Sequence, residues 1–241
     1  MPAPESIIHV NPDATPIIKH IGEEQTPIII IDDFALDLAG VKSNALESSD
    51  FTKVVQGQSM YPGVRVKLPK AYVVDVLTPL QSLLRQTYKV TPSYRMKPCL
   101  YVYSLISTQP HELSLLQRMP HFDTVRPFYF AALHYLNDGP YGATAFFRHK
   151  PTGFERITAE REQDYYQSAK QFVRDNGEPP QEYFVKSNEH FECYDKVEYK
   201  KNRLVLYPGN LLHSILINPN TDIDPNPRTG RLTANIFLEF C

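Results

Sequence analysis

From residue 99 onward the chain is a series of short apolar runs rich in β-branched and aromatic residues, and this pattern restricts the fold more than any other feature. The runs are Cys99-Leu-Tyr-Val-Tyr-Ser-Leu-Ile106, Phe128 to Leu136, Ala143-Thr-Ala-Phe-Phe147, Glu182-Tyr-Phe-Val185, Phe191, Leu204-Val-Leu-Tyr207, Leu211 to Ile217 and Leu232 to Phe240. Turn signals such as Asn137-Asp-Gly139 and Pro208-Gly209 separate them. Branched and aromatic side chains suit a pleated, half-buried surface, so each run reads as a strand. A chain with this many short strands must pair them into sheets and bury one face of each. The 15 Tyr, 13 Phe and 21 Pro, with no Trp, suit such a turn-rich β fold.

The first hundred residues read differently. Ile28-Ile-Ile-Ile-Asp32, led by Pro27, is a buried strand. Leu38, Val41, Ala45 and Leu46 fall near helical spacing. A second helix is predicted from Thr78 as N-cap, with Pro79 at the first helical position and Gln81 completing a capping box. Leu80, Leu83, Leu84 and Tyr88 form its apolar face. The stretch Tyr72 to Leu77 is ambiguous, and a preceding helix that ends before Pro79 accounts for it. Later, Ala159 to Asp175 breaks the β texture, with Tyr165, Tyr166, Ala169, Phe172 and Val173 on one helical face. Thr158 can cap that helix and Gly177 can end it.

These readings predict an α+β, mainly β protein. It is a double-sheet jelly roll (a cupin-like double-stranded β-helix) with N-terminal helices packed on one sheet and a helical insertion at about 158–176. The expectation is a single domain over 1–241, with supporting elements in about 1–98 and the core in about 99–241. Barrels of this kind hold ligands in their mouths.

Composition narrows function only coarsely. A hydrophobic content of 42% supports a real core, and a formal charge of −2 gives no nucleic-acid or anionic-membrane footprint. No apolar run reaches transmembrane length, and Met1-Pro-Ala-Pro-Glu-Ser6 lacks the pattern of a signal peptide. Cys99, Cys193 and Cys241 are too few and too scattered for a disulfide framework, which points to the cytoplasm. The expected partner is a small-molecule or peptide substrate. Oligomeric state is not readable.

Four residues carry the chemistry: His121, Asp123, His213 and Arg231. Two imidazoles and a carboxylate on one face of a metal make the facial triad of non-heme Fe(II) oxygenases, with positions left for a cosubstrate and O₂. His-x-Asp is a common pattern among eight histidines, and His190-Phe-Glu192 matches the looser form as well. Context favours His121, because several strands separate it from His213 and a facial triad needs its third ligand from a distant strand. His190 lies too near His213 and reads as structural. The plain alternatives are a surface-loop histidine for His121, a turn cap for Asp123 and a buried core histidine for His213. Period-two alternation sets Arg231, Thr233 and Asn235 on one face and Leu232, Ala234, Ile236 and Leu238 on the other. An inward arginine is costly unless an anion meets it, and the far carboxylate of a 2-oxoacid is such an anion. Arg228, in the Pro225-Asn-Pro-Arg-Thr-Gly230 loop, reads as exposed.

Several segments together resemble the 2-oxoglutarate- and Fe(II)-dependent dioxygenase superfamily, in its prolyl 4-hydroxylase-like branch. They are Ile28–Phe34, Pro120-His-Phe-Asp123, Ala132-Leu-His-Tyr-Leu-Asn137 with Gly142–Phe147, Asn202–Ser214 and Gly230–Phe237. The resemblance spans about residues 25–240. It implies that His121, Asp123 and His213 bind Fe(II), and that Arg231 and Thr233 bind 2-oxoglutarate. Tyr135 matches a tyrosine that commonly lines the cosubstrate pocket, and Tyr103 is a weaker candidate. The implied activity is hydroxylation of a substrate by O₂ with release of succinate and CO₂. This chain departs from the branch at Tyr141-Gly-Ala-Thr144, where many members carry Gly-Gly-Glu/Thr. The residues alone leave two other readings open: a cupin-type metalloenzyme that uses no 2-oxoacid, and a non-catalytic jelly-roll binding module. The loop 107–120 is either a cover over the metal or a polar surface connection.

Overall fold

A computed structural model describes residues 6–48, 51–53 and 60–241. Residues 1–5, which carry most of the N-terminal segment read above for a signal peptide, lie outside the described residues. The N-terminal part contains strands β1 (His9–Val10), β2 (Ile17–Ile21), β3 (Thr26–Ile31) and β4 (Ala35–Asp37), then helix α1 (Ala39–Glu47). Strands β5 (Thr52–Lys53) and β6 (Gly63–Lys67) and helix α2 (Lys70–Tyr88) follow. Next come β7 (Met96–Ile106), β8 (Tyr129–Tyr135), β9 (Thr144–His149) and helix α3 (Glu162–Asn176). The chain closes with β10 (Phe191–Val197), β11 (Leu204–Pro208), β12 (His213–Ile215) and β13 (Thr233–Phe240).

The molecule is mostly β, and its strand pairs are antiparallel, an arrangement consistent with a jelly-roll or cupin-like fold. A large sheet runs β2-β3-β11-β8-β13-β7-β6-β5, and a small one runs β10-β9-β12. His121 extends the small sheet by an isolated antiparallel bridge to His213. From β7 onward the chain alternates between the sheets: β7 large, His121 small, β8 large, β9 and β10 small, β11 large, β12 small, β13 large.

Alternation along β13 gives this sheet two faces. Leu232, Ala234, Ile236 and Leu238 enter the main core with residues of α1 and α2. Arg231, Thr233, Asn235 and Phe237 line a cavity on the other face. The N-terminal helices therefore cover the back of the large sheet and leave its front to the site.

Helix α2 corrects the expected N-cap at Thr78. One helix runs through that position with Pro79 inside it, and the Thr78 hydroxyl donates back to the Val74 carbonyl at 2.7 Å. An interior proline costs a helix about 3 kcal/mol. Here Tyr72, Val73, Val76, Leu77, Leu80 and Leu84 form an unbroken buried stripe, each contributing about 1.5–3 kcal/mol, which outweighs that cost. Pro79 itself is exposed, so water can meet the carbonyl its ring leaves unpaired. A second correction concerns Glu182–Val185, which is not a strand. Its aromatics are buried anchors in a loop, and the Tyr183 hydroxyl donates to the Thr108 carbonyl at 2.7 Å.

Helix α3 is the expected insertion and ends at Gly177, whose φ of +83° suits glycine. Arg161 occupies its N-cap position in place of Thr158. The helix docks through Tyr165, buried against Phe122 and His149, and through Phe172, stacked on His190 at 4.0 Å between centroids. His190 in turn shares a 3.0 Å Nε2–Nε2 hydrogen bond with His149. Among the described residues no helix is long and apolar enough to cross a membrane.

Candidate active site

The two histidines of the motif meet because their backbones pair. His121 N–H donates to the His213 carbonyl at 2.9 Å, and His213 N–H returns the bond at 2.8 Å. Asp123 N–H donates to the Gly209 carbonyl at 2.7 Å, which fixes the third residue against the Pro208-Gly209 turn. A Cβ on Gly209 would stand 2.6 Å from the Tyr129 ring and 3.3 Å from Asp123 Cβ, so only glycine lets the chains approach this closely. As a result, one ligand atom from each of His121, Asp123 and His213 lies within 4.8 Å of the others.

The imidazole of His213 is oriented for ligation. Its Nδ1–H donates to the Leu211 carbonyl at 2.8 Å, which leaves the Nε2 lone pair for a metal. The surrounding walls hold His121 well below the ordinary imidazole range, and His213 and Arg65 push it further down. Neutral imidazole is the form that binds a metal. Asp123 is surface-accessible, yet the protein around its carboxyl removes enough water to raise it, while His213 and Arg65 oppose the rise. Residues with two nitrogen donors and one carboxylate oxygen suit iron of the facial-triad kind.

The triad faces a cavity of about 320 Å³ between the two sheets. Arg231 lies at its inner end with no exposed surface. Its Nε donates to the Gly142 carbonyl at 3.1 Å, and its guanidinium carbon lies 5.4 Å from the Tyr135 ring centroid and 5.2 Å from that of Tyr199. Nη2 has no protein partner. Gly142 can approach because it lacks a side chain: a Cβ there would stand 1.8 Å from the Leu216 carbonyl oxygen. Its N–H donates to Asp222, whose carboxylate also accepts from Asn218 N–H and the Thr221 hydroxyl. A buried cation with an orphaned donor, opening on a cavity with a His/Asp/His group, fits a dicarboxylate that chelates a metal at one end and meets the arginine at the other.

The remaining sequence candidates separate. Thr233 lines the cavity beside Arg231. Tyr135 stands one layer back: its hydroxyl pairs with Thr144 Oγ1 at 2.7 Å and its ring stacks on Tyr199 at 4.5 Å, so it braces Arg231 from behind. Tyr103 is a correction. It pairs across to Ala234, on the helix-covered face, and its hydroxyl donates to the Val41 carbonyl at 2.9 Å in the core. His190 lies in the aromatic support of α3, and Arg228 is exposed. Leu116, Gln117 and Met119 of the loop 107–120 line the cavity, and Arg118 ties the loop down through Pro179 and Glu178.

Sequence reasoning missed Arg65. It stands on β6 between Val64 and Val66, which pack in the main core, so alternation turns Arg65 to the cavity. Its Nε donates to Ser104 Oγ at 3.2 Å, and its guanidinium carbon lies 4.0 Å from the Tyr61 ring centroid. The signal was present in the Val-Arg-Val alternation, but nothing in it revealed which sheet β6 joins.

A family model described as a family of unknown function, DUF6445, matches residues 12–238. The chain belongs to that family. No curated protein matches it. Among solved structures, HygX from Streptomyces hygroscopicus with nickel and 2-oxoglutarate bound is similar at 14% identity, over 90% of this chain and 84% of that one, with a TM-score of 0.44. AviO1 from Streptomyces viridochromogenes Tue57 is similar at 16% identity, over 82% and 76%, with a TM-score of 0.39. EctD from S. alaskensis with bound Fe is similar at 12% identity, over 99% and 82%, with a TM-score of 0.38.

Proposed function

We propose that this family member is an Fe(II)- and 2-oxoglutarate-dependent oxygenase that hydroxylates a small-molecule or peptide substrate, on a double-stranded β-helix. One observation carries the reading. A His/Asp/His group and a fully buried arginine with an unpartnered Nη2 share a single cavity. A cupin-type enzyme with no 2-oxoacid, or a binding module, would leave that guanidinium buried without an anion. The motifs around Pro120–Asp123 and Gly230–Thr233 support the prolyl 4-hydroxylase-like branch, and the three free cysteines support a reducing cytoplasm.

His121, Asp123 and His213 would hold the iron, and Leu211 would keep the His213 ring in the ligating tautomer. Fe(II) bound there supplies the coupling of O₂ reduction to oxidative decarboxylation, so that one oxygen atom enters succinate and the other the product. Arg231 receives the distal carboxylate through its unpartnered donor, and the Thr233 hydroxyl donates beside it. Tyr135 and Tyr199 fix the guanidinium plane from behind. Leu116, Met119 and Leu100 keep the cavity mouth apolar and limit water.

The test is 2-oxoglutarate turnover. With Fe(II), ascorbate and O₂, the chain should form succinate slowly even without a prime substrate. His121→Ala should reduce this to the background of free iron. Succinate formation equal in the wild type and His121→Ala would contradict the proposal.

A further inference from the structure

Arg231 is aimed by a single polar contact. A guanidinium carries five donors. Among the described residues Arg231 spends one of them on protein, from Nε to the Gly142 carbonyl, and Nη2 has no partner. The Tyr135 and Tyr199 rings fix its plane, but a ring face sets no rotation within that plane. The position of the Gly142 carbonyl therefore decides where the remaining donors point. Gly142 lies in the connection between β8 and β9, outside any strand, so no ladder holds it in place.

What holds it is the segment 218–230 of the connection from β12 to β13. Asp222 Oδ2 accepts from Gly142 N–H at 3.0 Å and from Asn218 N–H at 3.1 Å, and Oδ1 accepts from the Thr221 hydroxyl at 2.9 Å. Asp222 N–H donates to the Asn218 carbonyl at 2.9 Å, so backbone and carboxylate lock one turn. Asp222 is fully buried, which is costly for a carboxylate unless donors meet it. Asn218 and Thr221 belong to its own turn, and Gly142 is the donor from elsewhere in the chain. The next residue, Ile223, bridges to Ile106 at the end of β7 and ties the turn to the large sheet. The segment grips the neighbour of Gly142 as well. The Thr229 carbonyl accepts from the Tyr141 hydroxyl at 2.6 Å. The Tyr141 ring stands edge-on, at 4.9 Å, to Tyr199, the ring that faces Arg231.

We infer that Asp222 is the positioning residue of Arg231: by holding Gly142 it aims the open guanidinium donors into the cavity, and so sets the preference of the site for a dicarboxylate 2-oxoacid over a monocarboxylate one. The inference rests on the oxygenase reading for the presence of 2-oxoglutarate. Asp222 acts here as a hydrogen-bond acceptor rather than through its charge. Releasing Gly142 leaves the metal ligands where they are and lets the guanidinium turn, which matters only to a ligand long enough and anionic enough to reach it.

Anaerobic calorimetric titration of the full chain with Fe(II) present tests it, using 2-oxoglutarate against 2-oxopentanoate, which ends in a methyl group instead of the distal carboxylate. The wild type should prefer 2-oxoglutarate by roughly tenfold or more. Asp222→Ala should cut that preference to within about threefold and leave 2-oxopentanoate and Fe(II) affinities unchanged. Asp222→Asn should keep the preference, because an amide oxygen accepts from the same two N–H groups. Tyr141→Phe removes the second grip and should lower the preference in part. It carries the test if Asp222→Ala does not fold, and an unchanged preference there then overturns the inference. The Arg231 Nε–H proton resonance of the metal-free chain, identified by its loss in Arg231→Met, reads the same hold without any ligand. It should exchange slowly with water in the wild type and in Asp222→Asn, and fast in Asp222→Ala. An Asp222→Ala chain that keeps the preference or the slow exchange overturns the inference, as does an Asp222→Asn chain that loses either. Equal loss of both 2-oxoacids in Asp222→Ala marks a merely structural role and overturns it too. If the wild type itself shows no preference, the oxygenase reading fails, and the Nε–H exchange still decides whether Asp222 positions the arginine.

Discussion

At the scale of single residues, position relative to a carbonyl or a ring decides what each side chain can do. His213 is a ligand candidate because the Leu211 carbonyl takes its Nδ1 proton. His134 is equally buried but spent: Asn202 Oδ1, which also accepts from Ala35 N–H, takes its Nε2 proton at 3.1 Å, and Tyr72 donates to its Nδ1 at 2.9 Å. Burial pushes the His134 ring down to about 4. A histidine whose folded value is depressed leaves the unfolded chain binding more protons, so its contribution is present above about pH 6.5 and is lost as pH falls toward 4. Between pH 7 and pH 5 this one residue should cost about 2 kcal/mol. Urea melts at the two pH values, with His134→Gln as the control, would show it. An unchanged midpoint in the wild type would contradict the assignment. Arg231→Met should leave metal affinity within about twofold and weaken 2-oxoglutarate at least tenfold, because it removes the anion's partner and spares the ligands. Parallel titrations with Fe(II) and with 2-oxoglutarate separate the two effects.

At the scale of elements, burial overrides local grammar. Thr78-Pro-Leu-Gln81 has the form of a helix start, but the stripe from Tyr72 to Leu84 needs one helix to reach the sheet. Pro79→Ala should therefore stabilise the chain by about 1–3 kcal/mol, since the exposed proline only weakens an existing helix. A lower melting temperature in that variant would mean that the proline ring packs usefully. The strands were legible because β-branched and aromatic runs between turns have few other uses, and β7, β8, β9, β11 and β13 fall where the residues put them. Which way a strand faces was less legible. The apolar parity of its own strand puts Arg231 on the inward face, where it lines the cavity. Tyr103 sits in a run apolar on both faces, so its direction depends on pairing with Ala234, which no local pattern reveals. Arg65 escaped for a related reason: β6 is short, and its partner β7 lies far along the chain. The docking of α3 is hidden too, because its contacts join Tyr165 to Phe122 and His149, and Phe172 to His190, across loops. Phe172→Ala should loosen α3 selectively, seen as faster amide exchange over 162–176 with the strands unchanged. Uniform loss of protection would instead make α3 part of the cooperative core.

At the scale of the whole molecule, the alternation of the chain between two sheets brings together residues remote in sequence. His121 and His213 join through a backbone bridge of the small sheet, and Arg231, Thr233 and Arg65 come from the facing large sheet. Helices α1 and α2 pack on the reverse of that large sheet, so the cavity stays open. Acid weakens the assembly at a second place, because burial holds both His149 and His190 down to about 4 and their shared hydrogen bond is lost once both rings are protonated, since the accepting ring must be neutral. Under the proposed function ligands should work in the opposite sense, since iron and 2-oxoglutarate would bind only the folded chain and would raise its melting temperature together. The central claim is that the triad and Arg231 bind one metal and one 2-oxoacid as a unit. Visible absorption of the anaerobic chain with Fe(II) and 2-oxoglutarate tests it most directly. The account predicts a weak charge-transfer band that needs both additions, vanishes in His213→Ala and requires far more 2-oxoglutarate in Arg231→Met. Fe(II) binding with no band at saturating 2-oxoglutarate would contradict it.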